Sequence, residues 1–478
     1  MIITFLVPPS LDGENPAERT AGCTRLVYPM PNIYELTVAA VLEKENHEVR
    51  YKDFVLENLR EEHLEKFLLH DESTCYMIWC VNLSLETDRL TIQFIRNIKP
   101  NAHIILMGPG VTYYTQKLLL DERIFIVRGE PEETVTELLR SLQNQESLQA
   151  IKGISYLNKK GIRHNPSRDL IRDLDSLPFP ARHFIENYPY SNPKLKLQPY
   201  TTLLTSRNCP FHCIYCVPSS LTFARELEYK KEKGKKPPVS FRSPANVIAE
   251  LEHLATKGYR SVGFIDDNFI TTASRLKPIC ETLKKHRFAW GCQARVDAIS
   301  EEVAVLLSES GCRYVDLGIE SFNDEILQYI KKGITSQQIY DGINLLKKHN
   351  VPVKLNILIG TSPLETVQTV KETFHKAKKL EVSQVMFNIV APFPGTEFYD
   401  LARKNGWIVG GEYKPTDVQH NSILSYPQLT SKQMEHLLFR NNMLFFLRPS
   451  FVWMHIRKFD SISDFMTALV ALKRKLFH

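Results

Sequence analysis

The chain has 478 residues, of which 43% are hydrophobic, 24% charged and 10% aromatic, and its formal net charge at pH 7 is +6. Single cores rarely grow past roughly 250–300 residues, so this length calls for two large domains and a smaller appendage. The composition excludes a low-complexity or disordered chain, and no apolar run reaches the roughly 18 residues of a transmembrane helix. The positive charge lies in local clusters, KKEKGKK at 230–236 and KRK at 473–475, which read as solvated segments or as phosphate or membrane contacts; nucleic acid is not expected as a partner.

The opening MIITFLVPPSLDG has no basic region and runs into prolines, so it reads as a buried first strand rather than a signal peptide, and a cytoplasmic location is expected. The nine cysteines are then reduced thiols or metal ligands, in keeping with their odd number. Over residues 1–150, short apolar runs alternate with amphipathic stretches, the pattern of a doubly wound parallel sheet covered by helices on both faces. Its five strands are IITFLV, HEVRYKDF, CYMIWCV, HIILMG and IFIVRG, with helix-like segments such as IYELTVAAVLEKE between them.

Residues 151–194 form a linker, with a hairpin in ISYLNKKGIRHN turning at Lys160-Gly161, followed by proline-studded sequence. A second βα series fills residues 195–410, with strands YTTLLTS, SVGFIDD, WGCQAR, YVDLGIE, VKLNILIG and QVMFNIV. Six βα units imply a partial (βα)6 TIM-like barrel whose active face is the C-terminal end of its strands. Residues 411–478 read as a small, mainly helical region.

At the end of the first barrel strand stands SRNCPFHCIYCVPSS, that is Cys209-x3-Cys213-x2-Cys216. Three thiolates can hold three irons of a 4Fe-4S cube, whereas a fully capped cube has four cysteine ligands and a structural zinc usually takes four protein ligands. One iron is left open to bind a small molecule and pass it an electron. Cys75, Cys80, Cys280 and Cys312 lie in apolar runs and read as buried small hydrophobes, while Cys23 and Cys292 stay unassigned.

This motif, with an aromatic residue before its last cysteine, on the first loop of a (βα)6 barrel, resembles the radical S-adenosylmethionine (SAM) superfamily over residues 195–410. The resemblance implies that Cys209, Cys213 and Cys216 ligate the cluster, that its open iron chelates SAM, and that Tyr215 lies near the adenine. It further implies one-electron cleavage of SAM to a 5'-deoxyadenosyl radical that abstracts a substrate hydrogen, fed by a reducing partner such as flavodoxin or ferredoxin. Asp266 and Asp267 take the place of the SAM amino-group contact, although the commoner Gly-Gly-Glu is absent. Gln293, Arg295 and Asp297 alternate and would share one strand face. Glu320 and Ser321 stand where ribose or carboxylate contacts are expected, and Asn356, Asn388 and the PFPGTEF loop follow at later strand ends. For each of these polar residues a structural role or a substrate contact competes with SAM binding.

A doubly wound domain binds ligands outside the C-terminal ends of its strands. Those ends here are Pro8-Pro9-Ser10, Asn82-Leu83-Ser84, Gly108-Pro109-Gly110-Val111-Thr112 and Gly129-Glu130. Such a domain directly before a radical SAM barrel looks like the cobalamin-binding radical SAM enzymes, and this likeness spans residues 1–450. It implies cobalamin as a further cofactor, with Ser10, Ser84, Gly108, Gly110, Thr112 and Glu130 around the corrin and its nucleotide tail, where glycine would let backbone approach a flat ligand. The chain departs from many cobalamin proteins in lacking Asp-x-His-x-x-Gly, whose histidine ligates cobalt.

The resemblance implies modification of an unactivated carbon of a small molecule, by methyl transfer or, alternatively and without methyl transfer, by cyclisation, rearrangement or dehydrogenation. A non-enzymatic iron-sulfur carrier would need neither a large barrel nor a missing ligand. The tail EHLLFRNNMLFFLRPSFVWMHIRKF interleaves apolar and basic residues, which fits a cap on the barrel, the roof of a pocket for a hopanoid- or tetrapyrrole-like substrate, or a peripheral membrane contact. Residues 221–240, just after the cysteine loop, read as a charged lid or as solvated chain.

Overall fold

The computed structural model describes residues 1–22, 24–25, 28–382, 384–416 and 418–449. The chain divides into two compact units, one of residues 1–210, 217–293 and 309–313, the other of residues 211–216, 294–308 and 314 onward.

The first unit opens with the expected doubly wound sheet: β1 (Ile2–Val7), β2 (Glu48–Asp53), β3 (Cys75–Trp79), β4 (His103–Met107) and β5 (Ile124–Val127). These pair in parallel in the order β2-β1-β3-β4-β5. Central strands of such a sheet are covered on both faces and read as unbroken apolar runs. In β3 all five residues are buried, with Cys75, Met77 and Trp79 in one core cluster and Tyr76 and Ile78 in the other. Each fully buried large apolar side chain contributes roughly 1.5–3 kcal/mol.

The hairpin read as part of the linker belongs to this sheet. Its strands β6 (Ile154–Asn158) and β7 (Gly161–His164) add antiparallel beyond β5, through Phe125–Tyr156 and Tyr156–Arg163 pairs. Alternation explains the extension, because Ile154 and Tyr156 join the core cluster that contains Phe125 and Val127.

The six barrel-series strands all form. In the first unit β8 (Tyr200–Leu203) pairs in parallel with β11 (Ser261–Phe264), and β11 with β12 (Ala289–Ala294). A two-residue antiparallel ladder joins β9 (Ser206–Arg207) to β10 (Ser240–Phe241). From Tyr314 of β13 (Cys312–Glu320) onward the strands belong to the second unit, where β13, β14 (Val353–Ile359) and β15 (Gln384–Ile389) pair in parallel in that order. Helices such as Pro244–Thr256, Ser336–Lys348 and Val367–Lys379 follow the strands, the last two with Thr335 and Thr366 as N-caps.

The charged insert after the cysteine loop is not solvated chain over most of its length. Residues Ser220–Lys233 form a helix whose first half, Leu221 to Glu226 together with Glu228, is buried; the exposed stretch runs from Lys231 to Lys235. Arg225 and Glu228 are buried because each has a charged partner: Arg225 reaches Glu130 at 3.1 Å and Glu228 meets Arg128 at 2.9 Å. Among the described residues no helix is long and apolar enough to cross a membrane. The last helix, Ser431–Phe446, buries Met434, Leu437, Leu438 and Phe445 while leaving Phe439 and Leu444 exposed; residues 450–478, with the end of the apolar-basic tail, lie outside the described residues.

Candidate functional site

The cysteine loop begins in the first unit. Asn208 has φ +74, the left-handed region that asparagine tolerates better than most residues. Its side chain is fixed by Arg225 and by Glu226 at 3.3 Å, and its backbone N–H donates to the Thr222 hydroxyl at 3.2 Å. The buried helix after the loop therefore sets the backbone entering Cys209.

The second half of the loop, Phe211 to Cys216, belongs to the other unit and is held there by backbone and side chains. The Ile214 N–H donates to the Ile330 carbonyl at 3.1 Å, and the Ile214 carbonyl accepts from Phe398 N–H at 3.0 Å. The Arg295 guanidinium lies 3.5 Å from the centroid of the Phe211 ring, a cation–π contact, and donates to the Lys332 carbonyl at 2.7 Å. Tyr215 is buried, and its hydroxyl stands 3.3 Å from the Lys332 ammonium, which also pairs with Glu320 at 2.8 Å. Burial raises the Tyr215 phenol well above its ordinary value, with the Glu320 charge adding to it. Burial alone would lower the Lys332 ammonium; the Glu320 carboxylate reverses that and holds it charged.

Glu320 itself has φ +61, at the register shift between Gly318 and Glu320 in β13. A non-glycine residue there costs about 1–3 kcal/mol and persists where its surroundings over-determine it. Ser321 turns toward Thr373, 3.3 Å between hydroxyls. Asn356 is half-buried on β14, on the same face as Lys354 and Leu358, and the side-chain Oδ1 of Asn388 on β15 is buried without a partner. Lys354 pairs with Asp316 on β13 at 3.0 Å.

The alternation expected through Gln293, Arg295 and Asp297 stops at Ala294, where β12 ends and a tight turn, Val296–Ala298, begins. Arg295 is buried and meets Asp297 across that turn at 2.9 Å, whereas Gln293 is exposed. The turn, rather than a strand face, is what joins the arginine and the aspartate.

Asp266 is wholly buried and fully engaged: it accepts from the Thr205 N–H at 3.1 Å and from the hydroxyls of Thr205 at 2.7 Å and Ser206 at 2.5 Å. It ties the end of β11 to the chain leaving β8. Asp267 is half-buried, accepts from Ser219 N–H at 2.6 Å, and is pushed up to about 6 by burial against that hydrogen bond.

In the order β2-β1-β3-β4-β5 the topological switch point falls between β1 and β3, where doubly wound domains hold ligands. Arg19, from the long loop after β1, donates to the Trp79 carbonyl at the end of β3 and pairs with Asp88 at 2.7 Å. Ser84 hydrogen-bonds Asp88 at 2.6 Å, and Ser10 bonds within its own loop to Asp12 at 2.9 Å. A Cβ at Gly108 would lie 2.5 Å from the Cys80 carbonyl, and one at Gly110 3.0 Å from Val81, so these glycines admit the neighbouring strand end. Glu130 is also engaged, by Arg207, by Arg225 at 3.1 Å and by Ile171 N–H at 2.7 Å. Glu132 meets Arg207 at 2.6 Å in the same buried ion cluster.

Two side chains at these strand ends have inaccessible polar atoms without partners: both amide atoms of the buried Asn82, after β3, and the hydroxyl of the half-buried Thr112, after β4. A buried polar group left unpaired costs about 1–3 kcal/mol. A ligand rich in amides, such as cobalamin, would satisfy them, so the crevice fits that group. The cysteine loop fits a cluster in its donors: Cys209, Cys213 and Cys216 are half-buried thiols outside any disulfide, in contrast to the buried Cys75, Cys80, Cys280, Cys292 and Cys312. Burial pushes the Cys75 thiol up to about 12 and the Cys280 thiol up to about 11. Among the described residues no three His, Cys, Asp or Glu side chains converge on a single metal ion, and Cys23 lies outside those residues.

Lys332, Phe211 and Arg19 carry much of this geometry and were not singled out from sequence, while Asn82 was named only as part of a ligand-facing strand end. Lys332 stands in a Lys-Lys-Gly helix end that reads like any solvated terminus. Only the charged Glu320 twelve residues before it hinted at a partner.

Residues 203–377 match the model of the radical SAM superfamily. The uncharacterized methyltransferase PH0819 of Pyrococcus horikoshii is 30% identical over 456 residues, covering 94% of this chain and 93% of that protein. The anaerobic magnesium-protoporphyrin IX monomethyl ester cyclase of Synechocystis is 26% identical over 325 residues, 66% of this chain and 60% of that one. Among solved structures, the radical SAM methyltransferase TsrM of Kitasatospora setae, with cobalamin and a 4Fe-4S cluster bound, shares the fold at TM-score 0.65 and 17% identity, over 84% of this chain and 75% of that one. With a relative 30% identical over nearly its whole length and a radical SAM match in the barrel series, the chain belongs to the radical SAM enzymes, and it shares the fold of a neighbour solved with cobalamin and a 4Fe-4S cluster bound.

Proposed function

We propose that the chain is a methyltransferase acting on an unactivated carbon of a small, apolar substrate of the lipid or tetrapyrrole class, with Cys209, Cys213 and Cys216 holding the 4Fe-4S cluster. What supports methyl transfer is the 30% identity to a methyltransferase over 94% of the chain. When bound, the cluster, SAM and cobalamin supply reductive SAM cleavage, hydrogen abstraction and a transferable methyl group.

The chain's own residues bind and orient. Lys332 and Glu320 brace Tyr215 beside the cysteines, Arg295 clamps Phe211, and Asp267 and Gln293 present polar groups for SAM at the ends of β11 and β12. Asn82 and Thr112 offer unpaired donors and acceptors to a corrin. Exposed Phe439 and Leu444 fit an apolar substrate or a peripheral membrane surface in the cytoplasm. A formal charge of +6 suits an acidic one-electron donor of the flavodoxin or ferredoxin type.

The test is anaerobic reconstitution with iron, sulfide and hydroxocobalamin, then assay of iron, corrinoid, 5'-deoxyadenosine and S-adenosylhomocysteine after reduction with SAM. About four irons and one corrinoid per chain, with both products, are expected. A second reading, ring closure without methyl transfer, draws on the 26% identity to a cyclase; deoxyadenosine without S-adenosylhomocysteine would select it. Zinc in place of iron, or no deoxyadenosine, would overturn both.

A further inference from the structure

A cavity in the first unit, of about 40 Å³, lies at the ends of β1 and β2 and is walled by Val7, Pro29, Met30, Val55 and Leu56. Three buried polar side chains line it, and each has one atom without a partner: the Glu35 Oε1, the Asn32 Nδ2 and the Thr20 Oγ1. Their exposures are 0%, 5% and 3%.

The remaining polar groups of the wall are spent. Asp53 accepts from Leu56 N–H at 2.9 Å and from the Tyr190 hydroxyl at 2.9 Å. Glu18 accepts from the backbone of Thr20 and Ala21, and Arg19 is held by Trp79 and Asp88. The orientation of Asn32 is fixed, because its Oδ1 caps the helix Ile33–Lys44 by accepting from Tyr34 N–H at 3.2 Å, which leaves the Nδ2 as a donor facing the cavity. The open set is thus one carboxyl oxygen, one N–H donor and one hydroxyl able to do either.

Burial raises Glu35 to about 8, so it is largely neutral at pH 7 and offers little attraction to a cation. A free anion would meet a carboxyl and no unspent positive charge. A water needs about 10–15 Å³ of such space, so the cavity holds a group of about three non-hydrogen atoms. A primary carboxamide has that size, donates through its nitrogen to Glu35 and accepts at its oxygen from Asn32 and Thr20.

From this complementarity we infer that the cavity bounded by Glu35, Asn32 and Thr20 is a binding site for a primary carboxamide. The group comes either from a corrin side chain or from a substrate amide, and the corrin source alone rests on the cobalamin reading above.

Wild type, Asn32→Asp, which keeps the capping oxygen but replaces the donor with an acceptor, and Thr20→Val, which removes the hydroxyl at nearly constant volume, distinguish these. Each is titrated with hydroxocobalamin by tryptophan fluorescence and melted in the presence of propionamide. Hydroxocobalamin affinity about tenfold weaker in both variants, at unchanged melting temperature, supports the site and places the corrin amide there. Equal hydroxocobalamin affinity, with propionamide stabilising wild type and neither variant, supports the site and assigns it to a substrate amide. Equal affinity and no propionamide effect overturn it. Should wild type itself fail to bind hydroxocobalamin, the cobalamin reading fails, and the propionamide comparison alone then upholds or overturns the cavity's assignment.

Discussion

Lys332 and Glu320 meet at 2.8 Å directly beside Gly318, whose lack of a side chain leaves room for the pair as it stands. A Cβ on Gly318 would stand 2.7 Å from the Glu320 carboxylate and 3.0 Å from the Lys332 ammonium. Gly318→Ala therefore displaces a buried pair, at a cost of about 1–3 kcal/mol. The expected outcome is a lower midpoint in urea unfolding together with reduced 5'-deoxyadenosine formation; an unchanged midpoint would show that the pair tolerates the methyl group.

Removing a thiolate from the cysteine loop has a sharper consequence. Cys213→Ala should lower iron from about four per chain to near zero and abolish 5'-deoxyadenosine, while far-ultraviolet circular dichroism stays that of wild type. Cys280→Ala, in a helix and buried, should leave iron content unaltered.

Glu35 binds its proton in the folded chain up to about pH 8, whereas the ordinary carboxyl value is 4.5. The native state then carries more protons than the unfolded state between those values, so stability falls as pH rises through this window. Glu35→Gln removes the contribution. Wild type should lose stability relative to the variant from pH 5 to about 8 in parallel chemical denaturation series, and the difference should level off above that.

Asn82 is buried with neither amide atom paired, a cost to the ligand-free fold. Asn82→Leu should raise the stability of the corrinoid-free protein by about 1 kcal/mol and weaken hydroxocobalamin binding about fivefold or more. Loss of stability together with unchanged affinity would place the amide outside the ligand crevice.

Glu130 behaves differently because Arg207, Arg225 and the Ile171 N–H take up both of its oxygens. Glu130→Gln leaves buried arginines short of a counter-charge, and destabilisation of about 3–5 kcal/mol is expected in equilibrium unfolding. Corrinoid affinity measured on the folded fraction should stay within about twofold of wild type.

Strands and helices of both βα series were legible because burial on two faces writes continuous apolar runs, as in Cys75–Trp79 and Ile124–Val127. The cysteine loop stands out in the sequence because its spacing is chemical and local. Alternation through Gln293, Arg295 and Asp297 misled, since period two holds only while the strand continues, and β12 ends at Ala294. The segment after the loop looked like solvated chain because charge alone does not reveal a partner. Arg225 and Glu228 are buried by Glu130 and Arg128, residues about a hundred positions away. Roles for Ser84 and Glu130 near a ligand follow from their positions at strand ends, while their hydrogen bonds to Asp88 and Arg207 depend on side-chain direction, which position does not specify.

The flanks of the seven-stranded sheet also bear on how copies of the chain meet. One border strand, β2, reads Glu-Val-Arg-Tyr-Lys-Asp, and the other, β7, ends in Arg163 and His164, both exposed. Unpaired backbone along such borders invites strand-to-strand growth, and charged side chains are a common guard against it. With Arg50 further bound to Glu48 at 2.7 Å and Lys52 to Glu57 at 2.7 Å, the β2 border presents alternating charge to any approaching strand. Self-association of this domain by sheet extension is thereby disfavoured, and the chain can be concentrated for anaerobic work with little tendency to polymerise through its sheet.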